Sequence, residues 1–166
     1  VNGATFSNYL NSKYFTDHLA TLKPDLIILS LGTNEAAART FNADSLWATL
    51  DSLTSVFQRK GIEAGILFTT PPAIYKGYRK NRRTHYKPSE NAALVRETIL
   101  SYASRRGYAS WDWYTIMGGK QSMAKWKAKH MTDRRYIHFS PKGYSIQGVL
   151  LNEAFQRLIM DFREKQ

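Results

Sequence analysis

Three short segments of this 166-residue chain carry groups that could stabilise an oxyanion and move a proton. Asn34 stands in Gly32-Thr33-Asn34-Glu35, directly after an apolar run. A side-chain N–H beside a flexible glycine can donate to a developing oxyanion, and losing one such donor typically costs about 3 kcal/mol of transition-state stabilisation. The same residues could instead turn the chain and cap the next helix. His138 lies in Tyr136-Ile-His-Phe-Ser-Pro-Lys-Gly-Tyr144 and has the chemistry of a general base, although a lone histidine among apolar neighbours also suits a packed or surface role. Gly3, in Val1-Asn-Gly-Ala-Thr-Phe6, could present its backbone N–H with no side chain in the way. His18, His85 and His130 lack comparable context and read as surface residues. Metal binding has little support, because no pair of His or acidic residues shows ligand spacing and Asp133 with His138 would supply only two ligands.

Strand-like and helix-like segments alternate around these residues. Asp25 to Leu31 is a short apolar run without helical spacing and reads as a strand buried on both faces, ended by Gly32. Ala64 to Thr70, stopped by Pro71-Pro72, reads as a second strand, and Tyr108 to Trp113 as a weaker third. Helical spacing runs from Ala43 to Lys60, with Leu46, Leu50, Leu53 and Phe57 on one side, and from Ser89 to Arg106, with Leu94, Ile99 and Tyr102 inward. Gly61 and Gly107 are placed to cap those helices. A last helix is expected from about Pro141 to Arg163, burying Val149, Leu150, Phe155 and Leu158. This alternation predicts a parallel sheet covered on both faces, with ligands at the carboxyl ends of its strands, where Asn34 and His138 would meet.

Composition narrows the class. With 43% hydrophobic and 22% charged residues the chain is an ordinary globular sequence. Without cysteine it has no disulfide, thiolate metal site or cysteine nucleophile. No apolar run approaches the roughly 20 residues of a membrane helix. An excess of 24 Lys+Arg over 13 Asp+Glu, net +11, should draw polyanions toward the surface. Much of that excess sits between Lys76 and Lys87, which has Tyr78, His85 and Tyr86 but no acid, and reads as a surface loop beside the ligand crevice. Gly32 and Thr33 beside Asn34, and Arg82 and Arg83 in the basic loop, are candidates for substrate contact.

Taken in order, these segments resemble the SGNH (GDSL-type) serine hydrolases, whose four sequence blocks are Gly-Asp-Ser, a lone glycine, Gly-x-Asn-Asp and Asp-x-x-His. Gly3 is similar to the second block, Gly32-Thr33-Asn34-Glu35 to the third with glutamate for aspartate, and His138 to the fourth. Phe68-Thr-Thr-Pro-Pro72, Trp111-Asp-Trp-Tyr114 and Met117-Gly-Gly119 resemble bacterial members that remove acetyl groups from peptidoglycan or other carbohydrates. The resemblance implies a three-layer α/β/α domain over residues 1–166 with a mostly parallel, flavodoxin-like sheet. It implies Gly3 and Asn34 as oxyanion donors, His138 as the base, no cofactor, and an acylated carbohydrate or cell-wall glycan as substrate. It also implies an export route, secreted or to the periplasm or cell envelope.

Two departures set further expectations. The Gly-Asp-Ser block should precede Gly3, so the catalytic serine and the first strand are expected on an upstream segment. Ser45 and Ser52 follow aspartates but fall in a helical segment and lack the preceding glycine. Three residues before His138 stands Arg135, and the nearest acid is Asp133, five residues before. Asp133 could complete the triad through a small loop insertion, or the acid could be lost, leaving a dyad. A non-catalytic glycan-binding relative is the alternative reading. Nucleic-acid binding through the basic segment is a third, which no recognised motif supports.

Overall fold

The structure, a computed structural model, describes residues 3–165. In chain order the elements are α1 (Phe6–Leu10), α2 (Lys13–Leu22), β1 (Leu26–Ser30), α3 (Thr33–Ala37), α4 (Ala43–Arg59), β2 (Gly65–Thr69), β3 (Tyr75–Lys80), β4 (Arg83–Pro88), α5 (Glu90–Arg106), β5 (Ala109–Trp111), α6 (Trp113–Ile116), α7 (Ser122–Ala128) and α8 (Pro141–Glu164). β1, β2 and β5 form a parallel sheet in the order β1-β2-β5, in register from Leu26↔Gly65 to Ser30↔Thr69 and from Leu67↔Ala109 to Thr69↔Trp111. Each parallel crossover passes through a helix, α4 between β1 and β2 and α5 between β2 and β5.

Leu46, Leu50, Leu53 and Phe57 of α4 are buried, as their spacing predicts, with Val95, Ile99 and Tyr102 of α5 and Phe68 of β2 in the same core. Polar groups between the two helices are paired: the Tyr102 and Thr54 hydroxyls lie 2.6 Å apart, and Arg106 of α5 forms an ion pair with Asp51 of α4. Gly107 closes α5 at φ 70°, the left-handed cap expected of it.

Four expectations are corrected. β1 is not buried on both faces. Ile27 and Leu29 point into the core, but Leu26 and Ile28 are 42% and 43% exposed, because β1 pairs only with β2 among the described residues and one of its faces is uncovered. On α5 the inward stripe is Ala92, Val95 and Ile99, so Leu94 is exposed. On α8, Leu150 and Phe155 are half-buried with Leu151 and Ala154, whereas Val149 lies off that stripe and Leu158 beyond its last covered turn, and both are exposed. Lys76 to Lys87 is not a loop but most of the antiparallel hairpin β3–β4, paired from Tyr75↔Pro88 to Lys80↔Arg83. Its two-residue turn, Asn81-Arg82, has φ of 49° and 60°, the double positive φ of a type I′ connection. No helix among the described residues is long and apolar enough to cross a membrane.

Candidate active site

At the carboxyl ends of β1 and β2 the chain opens into a cleft of about 660 Å³. Gly3, Thr33, Asn34 and His138 all line it, together with Thr70, Pro71 and Pro72 from the end of β2. A cleft at strand ends is where an open parallel sheet gathers ligand-binding groups, because the loops leaving successive strands converge there.

The Asn34 arm is built by two steric choices. Gly32 turns the chain out of β1 at φ 103°, and a Cβ there would meet Val95, Pro71 and Ile99 at 3.1, 3.2 and 3.3 Å. Only glycine lets β1 end this close to α5 and β2, and Gly32 therefore faces the core rather than the cleft. α3 starts at once, placing Asn34 in its first turn. The Asn34 amide donates to the Ala4 carbonyl at 2.6 Å, so it is tied to the peptide that follows Gly3. An asparagine amide has two N–H donors, and this bond uses one.

A second tie joins the same two segments. The carboxylate of Glu35 accepts a hydrogen bond from the Phe6 N–H at 2.8 Å, while its other oxygen is buried without a hydrogen-bond partner among the described residues. Burial raises the Glu35 carboxyl above its ordinary value, and backbone N–H donors, Phe6 first, only partly oppose that shift. With the folded pKa above the unfolded one, the unfolded chain ionises first as pH rises, and folding stability falls from the ordinary glutamate range up to the raised value. Glu35→Gln keeps an oxygen for Phe6 and cannot ionise. Denaturant unfolding is therefore expected to find it more stable than the parent at neutral pH, the two converging below about pH 4. A variant less stable than the parent at neutral pH would contradict this.

His138 is exposed, on a segment braced from several sides. The Asp133 carboxylate accepts from the Ile137 N–H at 3.0 Å and the His138 N–H at 3.4 Å, and the Asp133 N–H donates to the His138 carbonyl at 2.8 Å. Asp133 thus holds the backbone of the histidine loop, and Arg135 is exposed on it. Phe139, the next residue, is buried against Trp113 and Trp126, with ring centroids at 5.8 and 5.2 Å. Ser140 caps α8 by accepting from the Gly143 N–H at 3.3 Å. A Cβ at Gly143 would collide with the Met131 carbonyl, so the first turn of α8 lies directly on the strand-like Thr132↔Phe139 bridge.

Sequence reasoning missed the network beneath the β2 end. Arg96 of α5 forms an ion pair with Asp112, Nη2 to Oδ2 at 2.6 Å. The Thr70 hydroxyl donates to Asp112 at 3.1 Å and accepts from the Tyr114 N–H at 2.9 Å. Burial pushes the Asp112 carboxyl up, but the hydrogen bonds from Arg96 and Thr115 outweigh it and hold the group below its ordinary range. The signal was present in Trp111-Asp-Trp-Tyr114, where an aspartate between tryptophans precedes a helix it can cap. Arg82 and Arg83 are exposed at the tip of the β3–β4 hairpin and do not line the cleft. Val1 and Asn2, which open the segment read as the second block, lie outside the described residues.

A parallel α/β sheet with a glycine, an asparagine and a histidine at its carboxyl edge defines a hydrolase domain of the SGNH type. The chain belongs to the GDSL-like lipase/acylhydrolase family, a family of ester hydrolases, which it matches over residues 1–146. No curated protein matches it in sequence. Among solved structures, a peptidoglycan O-acetylesterase superposes with a TM-score of 0.83 at 24% identity, covering 96% of this chain and 45% of its own. A lipase/acylhydrolase from Enterococcus faecalis gives 0.60 at 20% identity, covering 90% of this chain and 69% of its own. A carbohydrate esterase family 3 protein from Talaromyces cellulolyticus gives 0.65 at 15% identity, covering 96% and 70%. This chain therefore spans less than half the length of the first of these, and the likeness carries the fold.

Proposed function

We propose that the cleft belongs to a serine esterase that removes small acyl groups, acetyl above all, from carbohydrate, with peptidoglycan the leading substrate. The observation that carries this reading is the meeting of Gly3, Asn34 and His138 on one cleft. In the proposed reaction a serine attacks the ester carbonyl, and His138 takes its proton and returns it to the leaving alcohol. A water that His138 then deprotonates attacks the acyl-serine, freeing the acid and the serine, while Asn34 and the Gly3 N–H hold the oxyanion in both steps. Asp133 positions His138 through the loop backbone. The cleft walls mix Tyr9, Trp113 and Tyr144 with Ser30, Thr33 and Gln147, which suits a sugar better than a long acyl chain. The neighbour described as a peptidoglycan O-acetylesterase supports the same substrate class. A cell-wall substrate would place the protein outside the cytoplasm, secreted or in the cell envelope.

The nucleophile, on this reading, stands on an upstream segment that adds a strand to the free edge of β1. A groove of about 220 Å³ follows that edge, lined by Tyr9, Phe15 and residues 27–31, and it shares Ser30 and Leu31 with the cleft. A parallel strand laid there would end beside Asn34, and it would pair the backbone groups that β1 leaves open.

The test is acetate release from O-acetylated peptidoglycan by the full-length protein, combined with fluorophosphonate labelling and mapping of the labelled serine. Release with the label on an upstream serine is the expected result. A label on Ser30, whose hydroxyl accepts from Thr69 at 3.0 Å beside the cleft, would overturn the upstream placement. Neither release nor label, with the glycan still bound, would favour the second reading, a non-catalytic glycan-binding relative. The observation behind that alternative is that the Asp133 hydrogen bonds go to backbone N–H groups of the histidine loop.

A further inference from the structure

The register of the β3–β4 hairpin sorts its side chains onto two unlike faces. Side chains alternate along a strand, and directly paired residues share a face. With Lys76↔Lys87, Tyr78↔His85 and Lys80↔Arg83 paired, one face carries Lys76, Tyr78, Lys80, Arg83, His85 and Lys87. The other carries Tyr75, Gly77, Arg79, Thr84, Tyr86 and Pro88. The second face is the anchor. Tyr75 stacks on Tyr136 at 5.2 Å and Tyr86 lies 5.3 Å from the same ring.

The first face has four fixed cations and no carboxylate. Two of its three rungs set like charges directly opposite each other, Lys76 against Lys87 and Lys80 against Arg83, an arrangement that destabilises an antiparallel pair. Burial, and then the Lys87 charge, lower the Lys76 pKa. The middle rung is ordered by stacking of Tyr78 on His85 at 5.6 Å, with Lys87 5.9 Å over the Tyr78 ring. A hairpin that merely needed a soluble surface would alternate signs across these rungs, as opposite charges there are stabilising. An anionic partner would relieve the repulsion along the whole strip.

The base of the hairpin is tied at two points to segments that go on to line the cleft. The Tyr75 N–H donates to the Tyr136 carbonyl at 3.0 Å, two residues before His138. The Lys76 ammonium donates to the Ala38 carbonyl, beside Ala37, which lines the cleft. The cationic rungs stand four residues apart along each strand, roughly 13 Å, with the aromatic rung between them.

We propose that this face binds a carboxylate-bearing polysaccharide strand and holds it at the mouth of the cleft. Carboxylates would meet the Lys76/Lys87 and Lys80/Arg83 rungs, and a sugar ring would lie on Tyr78. The choice of a polysaccharide over another polyanion rests on the esterase reading above, but the binding itself does not require catalysis.

The experiment is titration of full-length protein with polygalacturonate, with a neutral glucan and with a single-stranded oligonucleotide, each at low and high salt. The Arg83→Glu/Lys87→Glu variant is measured beside it. Both substitutions create opposite-charge rungs, so the hairpin should hold at least as well and the melting temperature should not fall. Polygalacturonate is expected to bind more weakly by about tenfold or more in the variant, and in the parent at high salt, with no binding of the neutral glucan. Unchanged polygalacturonate affinity in a variant that melts like the parent overturns the proposal. Oligonucleotide binding without polygalacturonate binding overturns it too, and would assign the face to nucleic acid. A variant that melts lower is replaced by Arg83→Gln/Lys87→Gln, whose affinity is judged by the same outcomes. Loss of acetate release by the parent with polygalacturonate binding intact would sink the esterase reading and leave the binding face standing.

Discussion

In the full-length protein, His138→Ala is expected to lower kcat for acetate release by about three orders of magnitude or more, with little change in melting temperature. A positioned general base contributes on the order of 10²–10⁴ in rate, and removing the base of a serine–histidine pair also leaves the serine unactivated, so the losses do not simply add. The stability half of the expectation follows from exposure. His138 is solvent-exposed, and substitution of an exposed side chain away from caps and cores usually changes stability by about 0.5 kcal/mol or less. A histidine acting only in packing would give the reverse, an unstable variant with normal turnover per folded molecule. Partial recovery of His138→Ala by added imidazole would tie the loss to proton transfer. Full activity in the variant would remove His138 from the chemistry.

The loop around His138 is placed by residues whose roles were unevenly readable. Pro141 at the start of α8 was legible, because a proline at a first helical position is a local signal, whereas the serine cap before it was not read. The role of Asp133 was not, since spacing alone cannot tell a carboxylate that accepts from an imidazole from one that accepts from the Ile137 and His138 N–H groups. Trp113, Trp126 and Phe139 cluster under the loop from three separate segments, a contact that no local pattern encodes.

The same distinction explains the fold. The β1 and β2 runs as strands, the α4 stripe and the glycine after α5 are local patterns, and they held, but the burial of β1 on both faces did not. The β3–β4 hairpin was hidden for two reasons. Its strands are rich in Lys and Arg rather than β-branched residues, and its type I′ turn uses Asn81-Arg82, with arginine where glycine is the usual second residue. On α8, Leu158, Ile159, Met160 and Phe162 continue an apolar composition beyond anything that covers them, so periodicity could not say where burial stops.

Asn34 separates the two meanings its sequence left open. As a turn and cap residue in the first turn of α3, it could be replaced by aspartate with no loss, because a negative charge near a helix N-terminus is favourable. As an oxyanion donor it could not. A carboxylate at that position has no N–H for the reacting oxygen, would repel the charge that develops there, and would face the Ala4 carbonyl, now 2.6 Å from the amide nitrogen, with nothing to donate. Asn34→Ala is therefore expected to lower kcat by about 10²–10³, with KM little changed, since a donor that acts on the transition state contributes little to substrate binding. Asn34→Asp is expected to lose more activity than Asn34→Ala and also to unfold more easily, because its carboxylate faces the Ala4 carbonyl in place of the donor that now ties the two segments. Steady-state kinetics on both variants, with denaturant unfolding alongside, decide the matter: an aspartate variant as active as the parent would remove Asn34 from the chemistry. An aspartate variant worse than alanine would mean that the amide that ties Gly3's segment to α3 also holds the oxyanion.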